Sequence, residues 1–140
     1  MGRLLGLDYG SKRVGIAETD DLQIIASPLK TVHSKDAISF IIEYSRNFVL
    51  DAVIVGLPKN LNSSETHATK IVEQFTIHLR KKITPIQVIL EDERFTSKIA
   101  AQSMIIGGVK KRKRQEKGTL DKVSASIILQ SYLERRSKGL

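Results

Sequence analysis

The residues best placed to do chemistry in this 140-residue chain are acids: Asp8, the run Glu91-Asp92-Glu93, and Asp121. Asp8 closes a short apolar segment, and on a strand it shares a face with Leu4 and Gly6. An isolated Asp-x-Gly more often caps a turn, so Asp8 alone carries no assignment. Glu91, Asp92 and Glu93 end another apolar segment, and three neighbouring acids repel one another unless a cation joins them. Alternation puts Glu91 and Glu93 on one face and Asp92 on the other with Val88 and Leu90; spacing does not choose between the two glutamates. An exposed strand end balanced by Arg94 accounts for this cluster equally well. Asp121 falls in the first turn of the last predicted helix, where the helix dipole alone favours a carboxylate. It also begins a mostly apolar stripe through Ser124, Ala125, Ile128 and Tyr132, and an acid aimed inward needs a partner.

Three acids converging on one pocket would suit hard divalent cations. Mg²⁺ or Mn²⁺ takes carboxylate oxygens and keeps waters, leaving room for phosphate oxygens. Two such ions roughly 4 Å apart activate a water and stabilise the leaving oxygen of an in-line displacement. The formal charge of +8 makes nucleic acid the leading partner class. His33, His67 and His78 lack close metal-ligand spacing and read as surface or core-edge residues, and neither a P-loop nor Gly-x-Gly-x-x-Gly is present. With no cysteine, disulfide scaffolds, thiolate zinc sites and cysteine nucleophiles are excluded, which suits the cytoplasm. Asp8 interrupts the first apolar run too early for a signal peptide, and no stretch approaches membrane-spanning length. The length fits one domain over residues 1–140.

The elements that must position these acids read as an α/β unit. Arg3 to Asp8 and Arg13 to Thr19 are predicted strands of a hairpin, and an extended segment from Gln23 to Leu29 completes an antiparallel meander. Ser34 is the predicted N-cap of a helix whose apolar face runs through Ile38, Ile41, Ile42, Ser45 and Val49. Asp51 to Gly56 is a strand buried on both faces. A capping box at Asn62 to Glu65 opens a helix with Ala68, Ile71, Val72, Phe75 and Leu79 on one face. Pro85 opens a strand through Leu90, a helix follows Thr96 and stops at Gly107-Gly108, and the last helix spans about Thr119 to Arg135. The expected architecture is a mixed five-stranded sheet, meander then parallel strands, flanked by helices.

Four segments in this order carry a family resemblance: Gly6-Leu-Asp8-Tyr-Gly10-Ser-Lys-Arg13-Val-Gly15-Ile-Ala17, Val55-Gly-Leu-Pro58, Asp92-Glu-Arg94-Phe-Thr96, and Lys117-Gly118 with Asp121 and Ile127 to Leu133. Over nearly its whole length the chain resembles the YqgF family, also called RuvX, of bacterial Holliday-junction resolvases with an RNase H-like three-layer fold. The resemblance implies a catalytic, metal-holding trio at Asp8, Glu93 and Asp121, so it favours Glu93 over Glu91. It also implies a role in processing the precursor of small-subunit ribosomal RNA, with junction cutting as the alternative. Lys59 and Ser63-Ser64 stand where the family usually has an apolar residue and a glycine, and Ser124 stands where RuvC-type resolvases place a further acid. Arg13 and Arg94, inside matched motifs, suit phosphate positioning, although ion pairing with neighbouring acids explains them equally well. The run Lys110, Lys111, Arg112, Lys113 and Arg114 is expected to track a phosphate backbone by charge. Two other readings are weighed: a non-catalytic nucleic-acid-binding factor, and nucleotide or sugar-phosphate chemistry, for which one copy of this size is too small. Symmetric junction cutting would require a dimer, so the expected state is a monomer or weak homodimer.

Overall fold

The computed structural model describes residues 2–58, 67–92 and 117–138. Strands β1 (Arg3–Tyr9), β2 (Arg13–Thr19) and β3 (Ala26–His33) form the meander. A 3-10 turn (Ser34–Asp36) leads into α1 (Ala37–Asn47), followed by β4 (Leu50–Leu57), α2 (His67–Ile83), β5 (Gln87–Asp92) and α3 (Lys117–Ser137). The sheet order is β3-β2-β1-β4-β5, with β1 antiparallel to β2 and parallel to β4, and β4 parallel to β5. The mixed five-stranded sheet expected from the sequence is the observed one.

Strand alternation sorts the apolar residues into two layers of core. Leu5, Leu7, Val14, Ile16, Val53, Val55 and Val88 point to the face covered by α1 and α2. Leu4, Ala17, Ala52 and Ile54 point to the opposite face, covered by Ala125, Ile128, Leu129 and Leu133 of α3. β1 and β4 are thus apolar on both faces, as strands covered by helices on each side must be.

Several boundaries differ from the sequence reading, each for a local reason. The segment Gln23–Ile25 is part of a turn, because the Asp20 carboxylate accepts from the Leu22, Ile24 and Ile25 N–H groups and delays β3 until Ala26. Ser34 is not an N-cap: its hydroxyl donates to the Ser11 carbonyl, while His33 Nδ1 accepts from the Lys35 N–H. Val49 lies beyond α1 and is exposed, and Tyr44 takes the buried place on that helix. On α2 the buried stripe is rotated to include Thr69 and Thr76, leaving Ala68 exposed; the Thr76 hydroxyl is satisfied by the Val72 carbonyl. β5 begins at Gln87 rather than Pro85, and α3 extends the last helix at both ends, to Lys117 and Ser137. The capping box at Asn62 to Glu65 and the helix after Thr96 lie outside the described residues. Among the described residues, no helix is long and apolar enough to cross a membrane.

Candidate active site

Two glycines let α3 lie close on the sheet and bring Asp121 to Asp8. Asp8 sits near the C-terminal end of the central strand and pairs across the hairpin with Gly15. A Cβ on Gly15 would stand 1.9 Å from the Asp121 carbonyl oxygen, so only glycine admits the helix backbone there. Gly6, on the same face, gives the same access to Leu129 and to the Ala125 carbonyl. On the helix side the close approach is seen at Ala125, whose carbonyl oxygen would stand 2.8 Å from a Cβ on Gly6. Its larger cause is on the sheet side, at Gly6 and Gly15. The turn Gly10 to Arg13, closed by the Gly10 N–H donating to the Arg13 carbonyl, sets Asp8 opposite Gly15.

Asp8 and Asp121 line one cavity of about 220 Å³ with Gly10, Ser11, Lys12 and Arg13. Burial, then the negative charge of Asp121, pushes the Asp8 carboxyl up to about 6. Among the described residues no hydrogen-bond donor reaches the Asp8 carboxylate, so it is not the turn cap that an isolated Asp-x-Gly suggests. Asp121 does have a partner: Arg13 Nε donates to its Oδ2 at 2.9 Å, with the side chains 40% and 26% exposed. The ion-pairing account of Arg13 therefore describes this structure, and the guanidinium stands at the mouth of the acid pair.

Glu91 lies on the opposite face from Val88 and Leu90, as alternation predicts. Glu91 points to the α3 side and is 1% exposed, bound by Arg135 Nη2 at 2.7 Å, while Asp92 aligns with Leu57. Burial raises the Glu91 carboxyl above its ordinary range, and Arg135 opposes that rise. Sequence reasoning did not pair Glu91 with Arg135, whose polar neighbourhood at the helix end reads as a solvated face. Glu93, Arg94 and the basic run Lys110 to Arg114 lie outside the described residues. His33, His67 and His78 are exposed. Among the described residues no group of three or more His, Asp or Glu stands together as a metal site, so the acid pair is two members of any larger set. A half-buried carboxylate with no donor among the described residues, beside a second carboxylate, is nonetheless an oxygen-only donor set of the kind hard divalent cations take.

Comparison with known proteins gives this geometry a family. Residues 2–135 match RuvX, described as Holliday junction resolvase. The chain belongs to the RuvX family. A relative from Parabacteroides distasonis, provisionally named a pre-16S rRNA nuclease, is 46% identical over the whole of both chains. One of the same name from Phocaeicola vulgatus is 48% identical over 97% of this chain and 98% of its own. Among solved structures, RuvC from Thermus thermophilus superposes with a TM-score of 0.59 at 12% identity, covering 97% of this chain and 96% of its own. The Fowlpox virus resolvase, solved with Holliday junction DNA, gives 0.57 at 17% identity, covering 96% and 98%. At such identities the likeness is one of fold, and it gives this RuvX-family chain the RNase H-like architecture expected from its motifs.

Proposed function

We propose that the chain is a metal-dependent endonuclease of one domain that hydrolyses phosphodiester bonds in the cytoplasm, with the precursor of 16S ribosomal RNA as its substrate. The observation that carries this reading is Asp8, a half-buried carboxylate with no hydrogen-bond donor among the described residues, held against Asp121 by a backbone contact only Gly15 permits. The relatives' names supply the RNA substrate.

Asp8 and Asp121 would hold Mg²⁺ or Mn²⁺, with Glu93 as the third carboxylate. The register Leu7↔Val55 and Val55↔Leu90 sets Glu91 level with Asp8, two strand spacings or roughly 10 Å away. Glu91 is committed to Arg135, which leaves Glu93 for the site. The bound ion would supply Lewis acidity and an activated water for attack on phosphorus.

The chain's own groups do the rest. Arg13 neutralises Asp121 in the free protein and exchanges it for a phosphate oxygen when substrate arrives, since a guanidinium suits both partners. Lys12 lines the same cavity and adds positive charge beside the scissile group. Arg94 and Lys110 to Arg114 extend that field along the backbone of the substrate.

A second reading, cutting of four-way DNA junctions, is favoured by the family description and by the resolvase fold neighbours. A cleavage panel decides between them. Precursor 16S RNA and a four-way junction are each incubated with Mg²⁺ or Mn²⁺, using the protein and Asp8→Asn in parallel. Metal-dependent RNA cleavage lost in the variant supports the proposal. Cleavage of the junction alone supports the second reading, and equal cleavage by both proteins contradicts either.

A further inference from the structure

Arg13, at the mouth of the acid pair, lies opposite His33 in the β2–β3 ladder, so the two side chains share a face with backbones about 5 Å apart. That face is the one from which Arg13 reaches Asp121. Two strand spacings and a two-residue offset put His33 roughly 12 Å from Asp8. His33 is exposed there.

The turn between β1 and β2 is braced from the end of β3. Ser34, the neighbour of His33, donates its hydroxyl to the Ser11 carbonyl at 2.7 Å and its N–H to the Lys12 carbonyl at 3.0 Å. The backbone that carries Lys12 and Arg13 is therefore fixed relative to His33. The imidazole is oriented as well, because Nδ1 accepts from the Lys35 N–H at 3.1 Å. A neutral ring that accepts at one nitrogen carries its proton on the other, which makes Nε2 an N–H donor. Among the described residues nothing accepts from Nε2, and neither Lys12 nor Lys35 meets a carboxylate.

We propose that His33 and Lys12 form a subsite for a backbone phosphate of the strand whose scissile group lies at Asp8 and Asp121. The inference rests on the reading of that cavity as a nucleic-acid site. Charge and donor chemistry select the ligand. Positions 9–14 and 30–35 hold Lys12, Arg13, Lys30 and Lys35 and no acid, and the nearest acid in sequence is Asp36. Lys30 pairs with Ile16 on the other face, 5.8 Å from the centre of the Phe40 ring, and takes no part. An oriented N–H with an ammonium group nearby suits a phosphate oxygen. It does not suit a metal ion, since the ring's lone pair is already given to the Lys35 N–H. Such a contact fixes the register of the strand without reading its bases, so His33 is a positioning residue.

Two substitutions separate the two ring nitrogens. His33→Asn keeps an acceptor for the Lys35 N–H and removes the outer donor; His33→Gln carries an amide N–H to about the reach of Nε2 and gives up the inner acceptor. Binding of a short single-stranded RNA to the full chain is read by fluorescence anisotropy in EDTA at low salt, where no metal-dependent cleavage enters. His33→Asn should weaken binding about fivefold, in keeping with one hydrogen bond at an exposed site, and His33→Gln less than about twofold. His78→Asn, an exposed control on α2, should leave it unchanged. Moving one neutral methylphosphonate linkage along the RNA should find a position that weakens wild-type binding equally but His33→Asn no further. A histidine that only holds the chain predicts the inverse ranking, with His33→Gln the weak variant and His33→Asn like wild type. That ranking, an equal loss in His78→Asn, or neutral linkages whose effects all add to that of His33→Asn would overturn the proposal. Wild-type cleavage in Mn²⁺ is followed separately: RNA bound with the expected ranking but never cut would remove the endonuclease assignment and leave the phosphate subsite in place.

Discussion

The two ends of α3 carry the same chemical pair in two different settings. Near its start Asp121 meets Arg13 at 2.9 Å, both partly open to water; near its finish Arg135 meets Glu91 at 2.7 Å, where the carboxylate is 1% exposed. Length and partners hardly differ, but burial does. A pair in contact with water exchanges partners at little cost, whereas a buried carboxylate cannot lose its cation without remaining charged in a poor solvent. The first pair stands beside a second acid, Asp8, in an open cavity; the second stands under the helix. Under the proposed function, solvent access divides the acidic residues of one chain into a reactive set and a fastening set.

The sharpest separation is expected in activity. Asp8→Asn should lower metal-dependent cleavage by about 10³-fold or more, because the acids of such a site act as a unit. Glu91→Gln, assayed where it is fully folded, should change cleavage by less than about threefold. Comparable losses in the two variants would erase the distinction between the pairs.

Stability should show the reverse ranking. Arg135→Ala strands a buried carboxylate and should cost about 3 kcal/mol in urea unfolding, with water reaching Glu91 from the exposed side of Arg135 keeping the loss from going higher. Gly15→Ala, with a Cβ directed at helix backbone, should cost about 2–3 kcal/mol and separate Asp121 from Asp8. Arg13→Ala should cost less than about 1 kcal/mol. A loss for Arg13→Ala as large as for Arg135→Ala would mean that the site end is fastened too.

Much of this arrangement was legible from residue types. Alternation through Leu4, Gly6 and Asp8, and through Val88, Leu90 and Asp92, gave the strands and their faces because both sides of the sheet are buried. The stripe beginning at Asp121 gave the helix that covers one face. What escaped were features fixed by side-chain bonding at element ends. Asp20 holds a turn where extended chain was expected, Ser34 turns to Ser11 instead of capping, and Thr69 and Thr76 enter the core because the Pro58 and Val72 carbonyls accept from their hydroxyls. At the site, spacing brought Asp8 and Asp121 forward but could not divide Glu91 from Glu93. The division depends on Arg135, a residue forty-four positions away that no local pattern connects to Glu91.

The pH-dependent effect is the most specific. Asp8 has its carboxyl raised from the ordinary 3.8 to about 6 in the folded chain, so folding favours its protonated form. In metal-free protein the resulting penalty is absent below about pH 4, grows as pH rises, and is complete above about pH 6. Asp8→Asn removes that penalty and should be about 1–3 kcal/mol more stable than wild type at pH 7, with no difference near pH 3.5.

Thermal unfolding at pH 7 with increasing Mn²⁺, wild type beside Asp8→Asn, tests most directly whether the Asp8–Asp121 pair is held in readiness for a cation. The wild type should start lower and rise by several degrees as Mn²⁺ fills the site, while the variant starts higher and stays level. A wild type indifferent to Mn²⁺, or a variant that rises with it equally, would contradict the account.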